Sequence, residues 1–277
     1  MTPTPAATAV ATAQRVETAV VAGTTVRVSV AGQGPPLLLL PGMGSGLEMW
    51  EPLRARLAGR TTVAFDAPGI GRSPVDRRLW TVGRAARLAS AVVDRYAPGV
   101  VPEVLGYSFG GLVAQHLARL RVVARLVLVA TTAGQPAVPP MPHRLLAMLQ
   151  GGLLLQRDAV AGRGELGRLF GGRSARDPVA LGRAVAHLAT SPPSAVGYYG
   201  QALAASTWTG LPWIRLLTMP ALVLAGGDDR LVPPANARLL AGLLPDARLC
   251  ILAGAGHLLV LDDADRVADE VLAFLAA

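Results

Sequence analysis

Glu103-Val-Leu-Gly-Tyr-Ser-Phe-Gly-Gly-Leu112 is an apolar run that breaks into Gly106-x-Ser108-x-Gly110 and passes at once into helical periodicity. Leu112, Val113, Leu117 and Leu120 then share one face of the predicted helix. A strand that turns this sharply into a helix needs small residues around the serine, whose hydroxyl is then held above the sheet. The three letters alone are weak, because ordinary turns carry them too. Two later segments of the chain give them weight.

A second buried-strand run, Ala221-Leu-Val-Leu-Ala, breaks at Gly226-Gly227 into the acidic loop Asp228-Asp-Arg-Leu-Val-Pro-Pro. A third, Leu249-Cys-Ile-Leu, runs into Ala253-Gly-Ala-Gly-His257. The order is serine, aspartate, histidine, with each residue just past a predicted strand. Along one edge of a doubly wound sheet the three meet in space although they are far apart in sequence. Each has a chemical task. A serine hydroxyl is a poor nucleophile until a base takes its proton, and His257 is the candidate base. An aspartate, Asp228 or Asp229, would fix the imidazole tautomer and stabilise the imidazolium.

Acyl transfer also needs two N–H groups for the developing oxyanion. The amide of Phe109, directly after the serine, is one candidate. The second is the amide of Met43, in the loop that closes Leu37-Leu-Leu-Leu-Pro-Gly-Met-Gly-Ser-Gly46. That loop has a rival reading as a dinucleotide site, since Asp66 ends the next strand. Its third glycine comes one place early for Gly-x-Gly-x-x-Gly, as position 47 is Leu. A nucleotide site would also leave the serine, acid and histidine without a role.

The rest of the chain narrows the classes. At 277 residues, 52% of them hydrophobic, it can bury about three quarters of its unfolded surface. No apolar stretch reaches the ~18–20 residues of a membrane span. The first residues lack the positive segment of a signal peptide, so residues 1–18 read as a disordered tail. The single cysteine, Cys250, lies in a predicted strand, reads as a core residue, and favours a cytoplasmic location. All 26 basic residues are arginines against 18 acids, a net charge of +8. They are scattered and no nucleic-acid motif accompanies them, so they read as a solvated surface rather than a polyanion site. The histidines show no metal-ligand spacing, and no metal is expected. His116 reads as a hydrogen-bonded core or boundary residue; His143 and His187 have no acidic partners at ligand spacing. Nothing in the sequence sets an oligomeric state.

Strand and helix patterns alternate: a hairpin over Val20–Val30, strands at Leu37–Leu40, Thr61–Phe65 and Leu126–Ala130, helices at Leu47–Leu57 and Gly83–Tyr96. This is an α/β class with a mainly parallel sheet. From 132 to 218 the rhythm changes to short helical patterns, Arg144–Leu155, Val179–Leu188 and Tyr198–Ala205, punctuated by proline and glycine. Residues 132–218 therefore read as a helical cap inserted into a core of residues 19–131 and 219–277. Gly42, Trp50, Tyr198, Trp208 and Leu258 are the candidates for contact with a substrate.

Taken together, these motifs resemble the α/β-hydrolase superfamily; Asp66-x-Pro-Gly-x-Gly-x-Ser73 matches a loop common there. Within it the chain is most similar to intracellular poly(3-hydroxyalkanoate) depolymerases of the medium-chain-length type. The similarity is most specific in Ser191-Pro-Pro-Ser-Ala-Val-Gly-Tyr-Tyr199, Trp208-Thr-Gly-Leu-Pro-Trp213, Leu224-Ala-Gly-Gly-Asp-Asp-Arg-Leu-Val-Pro233 and Asn236-Ala-Arg-Leu-Leu240. It departs at Phe109, where that family more often has Trp, and at Pro41-Gly42, in place of a frequent His-Gly. Asp229, three residues after Gly226 and four before Pro233, takes the acid's usual position in related hydrolases, leaving Asp228 to bond within the loop. The resemblance implies a Ser108, Asp229, His257 hydrolase that needs no cofactor and acts on an aliphatic polyester or its oligomers at a granule surface. The rivals are an esterase or thioesterase for small soluble acyl compounds, and a ligand-binding sensor with a slow, vestigial triad.

Overall fold

The computed structural model describes residues 14–76, 78–137 and 163–277. The tail up to residue 13, the predicted helix Arg144–Leu155 and His143 lie outside the described residues. Among the described residues eight strands form one sheet in the order β1-β2-β4-β3-β5-β6-β7-β8. They are β1 Arg15–Val21, β2 Thr24–Ala31, β3 Pro36–Leu40, β4 Thr61–Phe65, β5 Glu103–Tyr107, β6 Arg125–Val129, β7 Ala221–Gly226 and β8 Ala247–Leu252. β1 and β2 pair antiparallel, as do β2 and β4; every other pairing is parallel.

The continuous apolar runs are explained by burial on both sheet faces. Leu38 and Leu40 of β3 join one core with Val104, Leu126, Leu128 and Val223. Leu37 and Leu39 join the opposite core with Leu105, Val127, Val129 and Leu224. Fully burying one such side chain contributes about 1.5–3 kcal/mol. Helices cover these faces. Val82–Tyr96 starts at Thr81, whose side chain accepts from the Arg84 amide, and Phe109–Leu120 packs beside it.

Three local expectations need correction. β1 begins at Arg15 and pairs with β2 along its whole length, so residues 15–18 belong to the sheet and not to a tail. Val16 and Val20 on its outward side are exposed, so its apolar residues do not mark one buried face and its pattern blurs against the sequence before it. The expected helix Leu47–Leu57 is a 3-10 turn, Leu47–Trp50, followed by a short helix, Glu51–Arg54. Cys250 lies on β8 but is half-buried rather than in the core, because β8 is the sheet's edge strand.

Between β6 and β7 the described residues form the helices Arg163–Phe170, Gly172–Arg176, Pro178–Ala189 and Ala195–Thr207. Asp177 caps the third by accepting from the Val179 and Ala180 amides, and Ser194 caps the fourth. No helix among the described residues is long and apolar enough to cross a membrane.

Candidate active site

β3, β5, β7 and β8 run parallel, so the segments that leave their C-terminal ends gather at one edge of the sheet. Ser108 follows β5 there, Asp229 follows β7, His257 follows β8 and Met43 follows β3.

The turn at Ser108 is strained, with φ 52° and ψ −116° on a non-glycine residue. Strain of this kind costs about 1–3 kcal/mol and persists only where the surroundings over-determine it. Here the Ser108 amide donates to Val129 O at 2.8 Å, and its carbonyl accepts from Thr131 Oγ1 at 2.7 Å. The two glycines are required by contact. A Cβ on Gly106 would stand 2.5 Å from Gly110 O, and one on Gly110 would stand 2.0 Å from Leu40 O. Gly110 thus lets the start of the Phe109–Leu120 helix press against the end of β3, bringing Phe109 beside the Met43 loop. Gly110→Ala is expected to destabilise the fold by about 3 kcal/mol, at the upper end of overpacking costs, read as a lowered urea midpoint at unchanged m-value.

The acid and histidine loops are stitched together by their backbones. Gly227 N donates to Leu252 O at 2.9 Å and Asp228 N to Ala255 O at 2.8 Å. A Cβ on Gly226 would meet Ala255 O and Gly256 O, both at 2.5 Å. Asp229 is buried; its Oδ1 accepts from the Leu231 and Val232 amides at 2.9 and 2.7 Å. Its Oδ2 lies 2.8 Å from His257 Nδ1, and His257 Nε2 lies 3.1 Å from Ser108 Oγ. The structure therefore brings Ser108, His257 and Asp229 into one hydrogen-bonded row. The Ser108 hydroxyl does not cap the helix it precedes, which leaves it to the imidazole.

His257 is held from three more sides. Its amide donates to Phe170 O at 2.7 Å, and the Phe170 ring lies nearly parallel to the imidazole at 6.2 Å. Its carbonyl accepts from Tyr107 Oη at 3.0 Å. Burial raises the Tyr107 phenol well above its ordinary pKa, so this donor stays protonated through the physiological range.

Asp228 does not bond within its own loop as expected. Its carboxylate pairs with Arg176 at 2.7 Å, a partner supplied by the segment between β6 and β7. Asp66 also turns inward. Its two oxygens accept from the Leu47 and Arg72 amides at 2.7 and 3.0 Å, so it fastens two loops and does not face a nucleotide site.

Ser108 opens onto a cavity of about 110 Å³. Met43, Met49, Leu112, Leu169, Leu188, Leu231, Leu258 and Leu261 form its apolar wall, and Thr131, Thr132 and Tyr198 supply polar groups. Of the expected contact residues, Gly42, Tyr198 and Leu258 line it, as do Met43 and Phe109. Burial pushes the Tyr198 phenol up to about 12, so it is a neutral group at the wall.

Two expected contacts are corrected. Trp50 is wholly buried in the core under the sheet, and it is Tyr107, edge-on to it at 6.5 Å, that reaches the cavity. Trp208 turns away to an aromatic group, donating from Nε1 to His116 Nδ1 at 3.2 Å and meeting Trp213 edge-on at 5.8 Å. His116 is thus a hydrogen-bonded boundary residue. Burial, with Arg119 and Arg87 adding to it, lowers its pKa and keeps it an acceptor for that indole. His187 Nδ1 lies 3.9 Å from Glu51, away from the row. Phe170, by contrast, has no signal in the sequence, because its role comes from its carbonyl and ring meeting His257 across the fold.

A family model for the alpha/beta hydrolase fold matches residues 35–264. The chain is similar to a poly(3-hydroxyalkanoate) depolymerase of Ectopseudomonas oleovorans, 35% identical over 87% of this chain and 84% of that protein. It is also similar to a pimeloyl-[acyl-carrier protein] methyl ester esterase of Aromatoleum aromaticum, 32% identical over 80% of this chain and 91% of that one. Among solved structures, an esterase from Exiguobacterium antarcticum superposes with a TM-score of 0.81, covering 94% of this chain and 99% of that one. At 19% identity that last likeness speaks for the fold alone.

Proposed function

This chain belongs to the α/β-hydrolase family and is one of its hydrolases, and from that premise we propose that it is a serine ester hydrolase of aliphatic polyesters or their oligomers. The observation that carries the reading is the His257 imidazole, bonded to Asp229 on one side and Ser108 on the other, at an apolar cavity. Nε2 takes the Ser108 proton as Oγ attacks the ester carbonyl, and Asp229 balances the imidazolium. The Met43 and Phe109 amides receive the oxyanion. Collapse breaks the ester C–O bond, and Nε2 returns the proton to the leaving alkoxide. Water, deprotonated by the same nitrogen, then attacks the acyl-enzyme; the acid leaves and Ser108 regains its proton.

Similarity to a poly(3-hydroxyalkanoate) depolymerase supports the polyester over other esters. A second reading, an esterase or thioesterase for single acyl groups, is favoured by the modest cavity and by the similar methyl ester esterase. The segment between β6 and β7 would act as a cap over the cavity, and the cytoplasm, with storage granules as its surface, would be the place of work. The test is release of soluble hydroxy acids from a medium-chain polyhydroxyalkanoate suspension, with Ser108→Ala alongside. Release by the unmodified protein alone is expected. Ser108-dependent cleavage of a soluble chromogenic ester with no release from polymer would move the substrate to small acyl compounds.

A further inference from the structure

The loop that carries the Met43 amide is a tight turn. Ser45 N donates to Gly42 O at 3.2 Å, and Gly44, third in the turn, has φ +70°. A positive φ there is the type II arrangement. Its central peptide, the one joining Met43 to Gly44, turns the Gly44 N–H outward from the turn, where a partner can tie the loop down directly beside Met43.

The holder is Gln201. This side chain, only 2% exposed, comes from the Ala195–Thr207 helix and accepts the Gly44 N–H on its Oε1 at 2.8 Å. The Tyr198 ring, one turn earlier on the helix, packs so closely on Gly44 that a Cβ there would meet it at 2.7 Å. The helix itself is fixed to the core. Ser194 donates to Gly69 O from both its amide and its hydroxyl at 2.8 Å, and Gly197 abuts Gly69. At the loop's far end Asp66 Oδ1 holds the Leu47 amide at 2.7 Å. A buried acceptor therefore grips the loop at two points, one from the sheet core and one from the segment between β6 and β7.

We propose that Gln201 is a positioning residue, which anchors the turn at Gly44, directly after Met43, and so holds the Met43 backbone, whose own N–H belongs to the preceding Gly42–Met43 peptide, in place for the oxyanion. The proposal rests on the serine-hydrolase reading, in which Met43 is one of the two donors. An acceptor at this point raises catalytic turnover without touching the acyl group, because a donor serves only if it already points where the charge develops.

The test uses Gln201→Met, which keeps the length and removes the acceptor, and Gln201→Glu, which keeps an acceptor. Ser108-dependent hydrolysis of a p-nitrophenyl acyl ester is measured with inhibition by phenylboronic acid, whose serine adduct mimics the tetrahedral intermediate. Gln201→Met is expected to lower kcat about 10–100-fold, part or most of the effect of losing a donor or misplacing it by an ångström. KM stays within about twofold, since ground-state binding is untouched. Boronate affinity falls by the same factor as kcat, and Gln201→Glu recovers most of both. An unchanged kcat in Gln201→Met, a loss of kcat with intact boronate affinity, or a Glu variant as impaired as the Met variant overturns the proposal. Hydrogen exchange at Gly44 in the unmodified protein provides a check that needs no variant to fold. Protection like that of the sheet amides is expected, and exchange at open-loop rates overturns it. Failure of the underlying reading looks different: activity would then survive Ser108→Ala.

Discussion

Ser108→Ala is expected to lower kcat on a soluble chromogenic ester by about 10⁴–10⁶-fold, the loss typical when the nucleophile of such a triad is removed. The size follows from the hydroxyl's isolation. It bonds to His257 Nε2 and caps no helix, so its removal deletes the proposed nucleophile and little else. Alanine inherits the same strained backbone, and the bonds from Ser108 N to Val129 O and from Thr131 to Ser108 O remain. The fold should therefore persist, with the melting temperature moving by a few degrees at most. Steady-state kinetics beside a thermal melt check both halves. Retention of more than about a hundredth of the activity would mean that another group attacks the ester.

The second large effect separates the two neighbouring acids. Asp229→Asn is expected to cost about 10⁴ in kcat, and Asp228→Asn no more than a few-fold. Asp229 uses both oxygens as acceptors, Oδ1 toward two amides and Oδ2 toward His257 Nδ1. An asparagine must turn its NH₂ toward one side or the other. Facing the amides, it sets donor against donor in a buried site; facing the ring, it forces the proton to Nε2, where it blocks the serine. Among the described residues the Asp228 carboxylate pairs with Arg176 alone, and the two side chains are 43% and 60% exposed. A pair so open to solvent contributes about 0–1 kcal/mol. The opposite ranking of kcat values would exchange the two assignments.

The doubly wound sheet was legible because its central strands are buried on both faces and so read as unbroken apolar runs ending in glycine, as at Leu37–Leu40 and Ala221–Gly226. β1 was harder, since an edge strand that leaves Val16 and Val20 exposed shows no single apolar face and continues the Ala, Thr and Val composition before it. The order of Ser108, Asp229 and His257 was readable because each sits within a few residues of a strand end, where topology does the positioning. Aromatic residues were less informative. An indole in an apolar stretch announces burial but not direction, and both Trp50 and Trp208 turn from the cavity. Contacts that span the fold, such as Asp228 with Arg176 or Gln201 with Gly44, leave no local trace, because neither partner's neighbours in sequence reveal the other.

The glycines at 171 and 172 bear on how this protein can be re-engineered. Both have positive φ, and a Cβ on either would stand 2.0 Å from the core's backbone, at Asp228 O and Gly256 N respectively. Between Phe170 O and His257 N the segment between β6 and β7 even supplies a hydrogen bond to the histidine's own amide. The segment between β6 and β7 is consequently no interchangeable module. A chimera that grafts a foreign segment between β6 and β7 inherits a histidine loop whose mould has been taken away, and must rebuild that seam before any new pocket can work.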